Sequence, residues 1–143
     1  DIAQWAPPEP FDIVLLDAPC SATGTIRRHP DLLRTKHEHD VARLAELQAQ
    51  LLRKAAAFVK PGGTLVYSTC SLEPEEGPRQ VEAFLQASPE FTRAPLDAAE
   101  LSADPSWITR EGEVRTLPCH LPLEPPEQGG LDGFYVARLR RRA

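Results

Sequence analysis

The pattern of hydrophobic and polar positions predicts strands alternating with helices. Phe11–Leu16 is a short apolar run rich in β-forming residues, which predicts a strand buried on both faces, as in parallel sheets. From about Asp40 the hydrophobic period changes to three or four residues, which predicts an amphipathic helix of about five turns. The positions expected to face inward are Val41, Leu44, Leu47, Leu51, Ala55 and Phe58.

A second buried strand is predicted over Thr64–Thr69, after the helix stop Lys60-Pro-Gly-Gly63. Residues 18–34 have the composition of a long loop, with Gly24 and Pro30 as breakers. The connection between the two strands is therefore long enough to join parallel neighbours, which a short hairpin turn does not allow.

The remaining residues predict one more helix and a hairpin. The helix covers Glu75–Ala87, starts in effect at Gly77-Pro78, and turns Val81, Phe84 and Leu85 inward. The other predicted elements are a short strand at Phe91–Pro95, an irregular stretch at 97–112, and hairpin strands at Glu113–Leu117 and Gly133–Leu139 around the Pro/Gly-rich residues 118–130. The order of the predicted strands and helices indicates an α/β fold. It is typical of the second half of a doubly wound domain, without its first strands.

Composition narrows the class of protein. The chain has 143 residues, a net charge of −5 and three cysteines without a Cys-x-x-Cys pair. An acidic total argues against a general nucleic-acid coat, and the cysteine spacing provides no zinc site or disulfide framework. No apolar run approaches the length of a membrane span, and the N-terminus lacks a signal-peptide pattern. We therefore expect a soluble, cytoplasmic protein with free thiols and no metal.

Two cysteines follow the two predicted parallel strands. Cys20 comes three residues after Asp17, and Cys70 directly follows Thr69. Ligands of open α/β sheets bind outside the carboxyl ends of the strands, and neighbouring strands are about 4.8 Å apart. If the strands are neighbours, both thiols face one pocket. Simple packing is the alternative for any buried cysteine, and it is the expectation for Cys119 in its Pro-rich segment.

Four motifs occur together in the order of a known family. They are Asp17-Ala-Pro-Cys-Ser-Ala-Thr-Gly24 with Arg27-Arg28-His29-Pro30-Asp31, Lys60–Ser71 ending in Ser-Thr-Cys-Ser, Glu75-Glu76, and Asp132-Gly-Phe-Tyr135. This combination resembles the RNA cytosine-C5 methyltransferases of the Sun/Fmu group, and within it the bacterial members that act on small-subunit (16S) ribosomal RNA. The resemblance covers essentially the whole chain and implies a Rossmann-like methyltransferase fold.

The resemblance also implies a role for each matching residue. Cys70 matches the cysteine that attacks the base, and Cys20 the cysteine that helps release the product. Asp17 matches the acidic residue at the pocket for S-adenosylmethionine and the base. Arg27 and Arg28, on the loop after Cys20, are positioned to hold phosphates of ribosomal RNA, with a solvated surface loop as the alternative. A monomer is expected, although nothing in the sequence fixes the oligomeric state.

The sequence departs from the family pattern in three places. The Gly-rich turn that cradles a cofactor in doubly wound folds is not found, so the isolated chain is expected to bind S-adenosylmethionine weakly or not at all. We interpret residues 1–143 as the C-terminal portion of a methyltransferase domain whose cofactor-binding half is absent. Ala22 stands where the family usually has Gly, and Gly77-Pro78 interrupts a helix start that is usually unbroken.

Two other functions remain open. A DNA cytosine-C5 methyltransferase also uses a Pro-Cys step, and in that case Cys20 is the nucleophile and Cys70 is dispensable. A non-catalytic RNA-binding or assembly module is the alternative outside enzymes.

Overall fold

The computed structural model describes residues 5–125 and 128–143 as one five-stranded sheet with two helices, Glu38–Ala57 and Pro78–Ala87, packed on one face. The strands are β1 (Phe11–Asp17), β2 (Val59–Thr69), β3 (Phe91–Arg93), β4 (Val114–Arg115) and β5 (Tyr135–Arg141). The helices are α1 (Leu32–Thr35), α2 (Glu38–Ala57), α3 (Pro78–Ala87) and α4 (Ala98–Leu101). Short 3-10 turns cover Thr23–Thr25, Pro74–Glu76 and Pro105–Trp107. Part of the predicted 118–130 connection, residues 126–127, lies outside the described residues.

The first two strands are parallel neighbours, as the long connection predicts. Their register pairs Ile13 with Thr64 and Asp17 with Ser68, so the two carboxyl ends meet at one edge of the sheet. β5 is antiparallel to β2, β3 and β4, which gives the order β1-β2-β5-β3 with β4 beside β5. The predicted C-terminal hairpin is confirmed by the pairing of Val114 with Val136.

The core lies between the sheet and helices α2 and α3. Its members are apolar side chains from both layers, including Leu16, Leu52, Leu65, Tyr67, Val81, Phe84, Tyr135 and Leu139. Val81 and Phe84 point inward as predicted, and α3 begins at Pro78, where proline is tolerated because the first helical N–H has no partner within the helix. Among the described residues, none of the helices combines the length and apolarity needed to span a membrane.

Burial of β1 on both faces was wrong. Leu16 is buried against the helices, but Ile13 and Leu15, on the opposite face, are 68% and 67% exposed. No helix covers that face among the described residues, and β1 is an edge strand. The sequence pattern was that of a strand covered on both sides, whereas the chain supplies cover for one side.

The exposed face of α2, the start of β2 and the stretch 97–112 also differ from the prediction. α2 buries Gln48, Leu52, Ala55 and Ala56, while the predicted core residue Leu47 is 40% exposed. β2 starts at Val59, so the Pro-Gly-Gly segment lies within the strand, where its register with β1 shifts. The stretch 97–112, expected to be irregular, contains α4 and a 3-10 turn whose starts are capped by the side chains of Asp97 and Asp104.

Candidate active site

The two cysteines meet at the edge of the sheet where β1 and β2 end. Cys20 Sγ and Cys70 Sγ are 3.4 Å apart, and both residues are half-buried. The parallel register brings them together because Cys20 lies three residues after the end of β1 and Cys70 directly follows β2. The structure thus joins two residues that are fifty positions apart in the sequence. Cys119 is exposed and lies elsewhere.

Backbone hydrogen bonds fix the two cysteine loops against each other. The Ala18 N–H donates to Ser68 O at 2.9 Å, and the Gly24 N–H donates to Cys70 O at 3.0 Å. Gly24 has to be glycine, because a Cβ there would lie 1.8 Å from the carbonyl oxygen of Gly133. Three segments that are remote in sequence are therefore packed backbone to backbone beside the thiols.

Hydroxyl groups and one carboxylate fill the space under the loops. The Oγ atoms of Ser21 and Ser71 are 3.2 Å apart, and Thr23 Oγ1 accepts a hydrogen bond from the Leu72 N–H at 2.9 Å. Ser21 also donates to the carboxylate of Glu76, which is fully buried. In the sequence, Glu76 is recognisable only as part of the Glu75-Glu76 motif. Its burial has no sequence signal, because an acidic residue ahead of a helix is ordinarily exposed.

Arg115 is a second residue that the sequence did not single out. Its guanidinium donates to the carbonyl oxygens of Ser71 at 2.6 Å and Leu72 at 2.7 Å, directly after Cys70. Burial lowers the pKa of this half-buried guanidinium. The Arg115 guanidinium therefore holds the backbone of the loop after Cys70 in place. β4 positions Arg115, and only the pairing of β4 with β5 brings that strand to the site.

Burial sets the protonation state of one thiol. Removal from water raises the pKa of Cys20 to about 12, and the neighbouring Cys70 adds to the rise. A thiolate is the nucleophilic form of cysteine, so Cys20 remains a weakly nucleophilic S–H at neutral pH.

The remaining predicted site residues lie at the end of β1 and on the loop after Cys20. Asp17 is exposed at the end of β1, and its Oδ1 accepts a hydrogen bond from Ser68 Oγ at 3.0 Å. Arg28 forms a two-point ion pair with Asp132, while Arg27 donates to Gly129 O at 2.7 Å. Both arginines therefore tie the loop after Cys20 to the segment before β5.

A cavity of about 500 Å³ lies beside the two cysteine loops. Thr23 and Glu73 contribute to its wall from the loops, and the start of α2 with its approach contributes Lys36, His37 and Val41. Its volume is in the range of small-molecule binding sites.

Comparisons with known proteins agree with this architecture. Residues 1–140 match the family model described as 16S rRNA methyltransferase RsmB/F. The chain is 56% identical over 140 residues to ribosomal RNA small subunit methyltransferase B of Salmonella arizonae, and 45% identical over 139 residues to that of Klebsiella pneumoniae. These alignments cover 98% and 97% of this chain but only 28% of each relative's length.

One solved structure, the crystal structure of PH0851, shares the fold. It is 38% identical and superimposes with a TM-score of 0.74, over 91% of this chain and 26% of its own. The Rossmann-like α/β class is therefore confirmed, and so is the family to which the sequence motifs pointed.

Proposed function

Because the chain belongs to the 16S rRNA methyltransferase RsmB/F family, we propose that the protein containing it methylates carbon 5 of a cytosine in small-subunit ribosomal RNA. The observation that carries the proposal is the pair of thiols 3.4 Å apart at the carboxyl edge of two parallel strands. Methyltransferases of this family use S-adenosylmethionine, which supplies the transferred methyl group. The proposed reaction passes through a covalent adduct between a cysteine and the base.

The proposed nucleophile is Cys70. Carbon 5 of cytosine is a poor nucleophile, and addition of a thiolate to carbon 6 turns the ring into an enamine-like species that accepts a methyl group at carbon 5. The motifs support this assignment, because Cys70 in Ser-Thr-Cys-Ser matches the attacking cysteine of the resembling family and Cys20 in Asp-Ala-Pro-Cys matches the releasing one. Arg115 holds the carbonyl oxygens of the two residues that follow Cys70, which fixes the loop beside the proposed nucleophile.

The proposed task of Cys20 is product release. After methyl transfer the proton on carbon 5 passes to a base, the C6–S bond breaks, and the sulfur of Cys70 leaves as a thiolate while the ring double bond reforms. The Cys20 S–H lies within hydrogen-bonding distance of that sulfur. A donor at this position stabilises the leaving thiolate and speeds this last step.

Asp17 is the residue of this chain proposed to face the cofactor and the base. Its carboxylate is exposed at the strand end, where it is free to accept a hydrogen bond from the exocyclic amine of cytosine. The Gly-rich turn of doubly wound cofactor sites is not among the residues of this chain. We therefore propose that residues 1–143 are the C-terminal portion of the methyltransferase domain and supply one wall of the cofactor site.

RNA contact is proposed for the exposed side of the loop after Cys20. The side chain of Arg28 is 52% exposed although it is paired with Asp132, so a phosphate can approach it from solvent. The target cytosine has to leave its stack to reach a thiol, which favours a single-stranded loop of ribosomal RNA as the substrate. The proposed location of the reaction is the cytoplasm.

Trapping on RNA that contains 5-fluorocytosine tests the proposal. Fluorine at carbon 5 blocks release, so the full-length protein is expected to form a stable adduct when S-adenosylmethionine is present. Cys70→Ala should abolish the adduct and Cys20→Ala should retain it, as judged by a gel shift under denaturing conditions. An adduct formed by Cys70→Ala but not by Cys20→Ala would instead support the mechanism of the DNA enzymes. RNA binding by the wild type without any adduct would support a non-catalytic module.

A further inference from the structure

Glu76 is a carboxylate without a cation, buried between the two cysteine loops. It is 0% exposed, and no lysine, arginine or histidine forms an ion pair with it among the described residues. A buried carboxylate costs several kcal/mol unless hydrogen bonds replace its water. Its partners therefore indicate what the side chain does in the fold.

All donors to the Glu76 carboxylate come from the Cys20 loop or from a side chain that holds that loop. The Ser21 N–H lies 2.9 Å from Oε1 and 3.1 Å from Oε2, and Ser21 Oγ donates to Oε2. Gln48 Nε2 donates to Oε1 at 3.0 Å and also to Pro19 O at 2.9 Å. The peptide groups on both sides of Cys20 are thus fixed by Glu76 and by its partner Gln48.

The main chain of Glu76 is attached to the strand that leads to the other thiol. Its carbonyl oxygen accepts hydrogen bonds from Tyr67 Oη at 2.8 Å and from Thr69 Oγ1 at 3.3 Å. Thr69 directly precedes Cys70. One residue therefore connects the backbone around Cys20 to the strand end that bears Cys70.

We propose that Glu76 is a positioning residue that holds the Cys20 thiol against the Cys70 sulfur. The inference rests on the proposed function, because it assigns Glu76 to the release step that Cys20 serves. Two acceptor oxygens are needed to hold the Ser21 N–H, the Ser21 hydroxyl and the Gln48 amide together. Without them the Cys20 loop loses its anchor, whereas Cys70 keeps its place at the end of β2 and its carbonyl contacts with Gly24.

A trivalent arsenical measures the distance between the two thiols without requiring activity. Phenylarsine oxide bridges two close thiols and loses its oxygen as water, and digestion with mass spectrometry assigns the bridge to Cys20 and Cys70. In the full-length protein, Glu76→Ala is expected to slow bridging by about tenfold or more. The rate of a reaction between positioned groups falls steeply when one of them is displaced by about 1 Å. Glu75→Ala is the matched control, because Glu75 pairs with Arg79 at the surface. Unchanged bridging in folded Glu76→Ala would overturn the proposal.

The catalytic readout separates positioning from loss of fold. With RNA of ordinary cytosine, Glu76→Ala is expected to accumulate a covalent RNA complex, because attack by Cys70 persists while release is slow. Trapping on 5-fluorocytosine should remain close to that of the wild type. A parallel loss of trapping and turnover in folded protein would show that Glu76 does not act through Cys20.

Glu76→Gln keeps the proposal testable if the alanine variant does not fold. Glutamine preserves the side-chain length and one acceptor oxygen, so both bridging and complex accumulation should lie between wild type and Glu76→Ala. Values equal to those of the wild type in both assays would overturn the proposal. If the wild type itself forms no adduct on 5-fluorocytosine, the proposed function fails, and the arsenical comparison still decides whether Glu76 positions the thiols.

Discussion

At the residue scale, the backbone of the Cys20 loop carries one strained position. Ala22 has φ +62° and ψ +22°, the left-handed region in which a Cβ is unfavourable. The conformation turns the chain so that Thr23–Thr25 form a 3-10 turn and the Thr25 N–H donates to Ala22 O at 2.9 Å. Glycine, which has no Cβ, adopts this conformation without that cost.

Ala22→Gly is therefore expected to stabilise the protein. Relief of the left-handed strain gains about 1–2 kcal/mol, and the extra freedom of glycine in the unfolded chain offsets roughly half of that. Urea unfolding should show a free energy of unfolding higher by about 0.5–1 kcal/mol. Ala18→Gly is the control: Ala18 is buried without a positive φ, so glycine there should destabilise. A less stable Ala22→Gly protein would contradict the strain argument.

At the element scale, helix α2 shows how the partner layer selects the buried face. Leu47 and Leu52 are similar side chains on one amphipathic helix, but Leu52 is fully buried and Leu47 is 40% exposed. The buried face also includes Gln48, whose amide reaches the Cys20 loop and Glu76. The predicted stripe is confirmed at Ala55 and Phe58, which are buried, and at Leu51, which packs against the core, so Leu47 is its exception.

Alanine substitution in α2 distinguishes the two faces. Leu52→Ala should lower the free energy of unfolding by about 2–5 kcal/mol, because it leaves a cavity between helix and sheet. Leu47→Ala, on the same helix and of the same chemistry, should cost under about 1 kcal/mol, as expected of a largely exposed side chain. Denaturant unfolding of both variants measures the difference. Equal losses would mean that the side chain of Leu47 is packed as closely as that of Leu52.

At the scale of the whole molecule, only one face of the β1–β2 part of the sheet is covered by helices among the described residues. Helices α2 and α3 cover one face, whereas Ile13 and Leu15 of β1 are exposed on the other, and among the described residues no strand pairs with the outer edge of β1. In doubly wound folds both faces of such strands are covered. The uncovered face and the 28% coverage of the relatives both support the proposal that a cofactor-binding half completes the domain.

The isolated 143 residues are expected to bind S-adenosylmethionine weakly or not at all. The reason is that the turn which cradles the cofactor in these folds does not occur in this sequence. Calorimetric titration of the isolated chain measures this, after circular dichroism has shown that it is folded. The full-length protein, titrated alongside, is the positive control. Micromolar affinity of the isolated chain would refute the prediction and the division of the domain.

Hydrophobic patterning along the chain was enough to place the main elements and the two cysteines that follow β1 and β2. Local hydrophobic runs predicted β1, β2 and α3, and the long connection allowed the parallel pairing that brings Cys20 and Cys70 to one edge. These features depend on neighbours in sequence or on connection length, so a linear pattern contains them.

The surroundings of the thiols depend instead on packing between segments that are far apart in the sequence. The burial of Glu76, the reach of Arg115 to the Cys70 loop and the pairing of Arg28 with Asp132 all join segments remote in sequence. Their side chains are charged, and from sequence alone a charged residue is predicted to be exposed. The sequence also left the exposure of Leu47 on α2 and of one face of β1 undetermined. Each depends on which layer packs against the element.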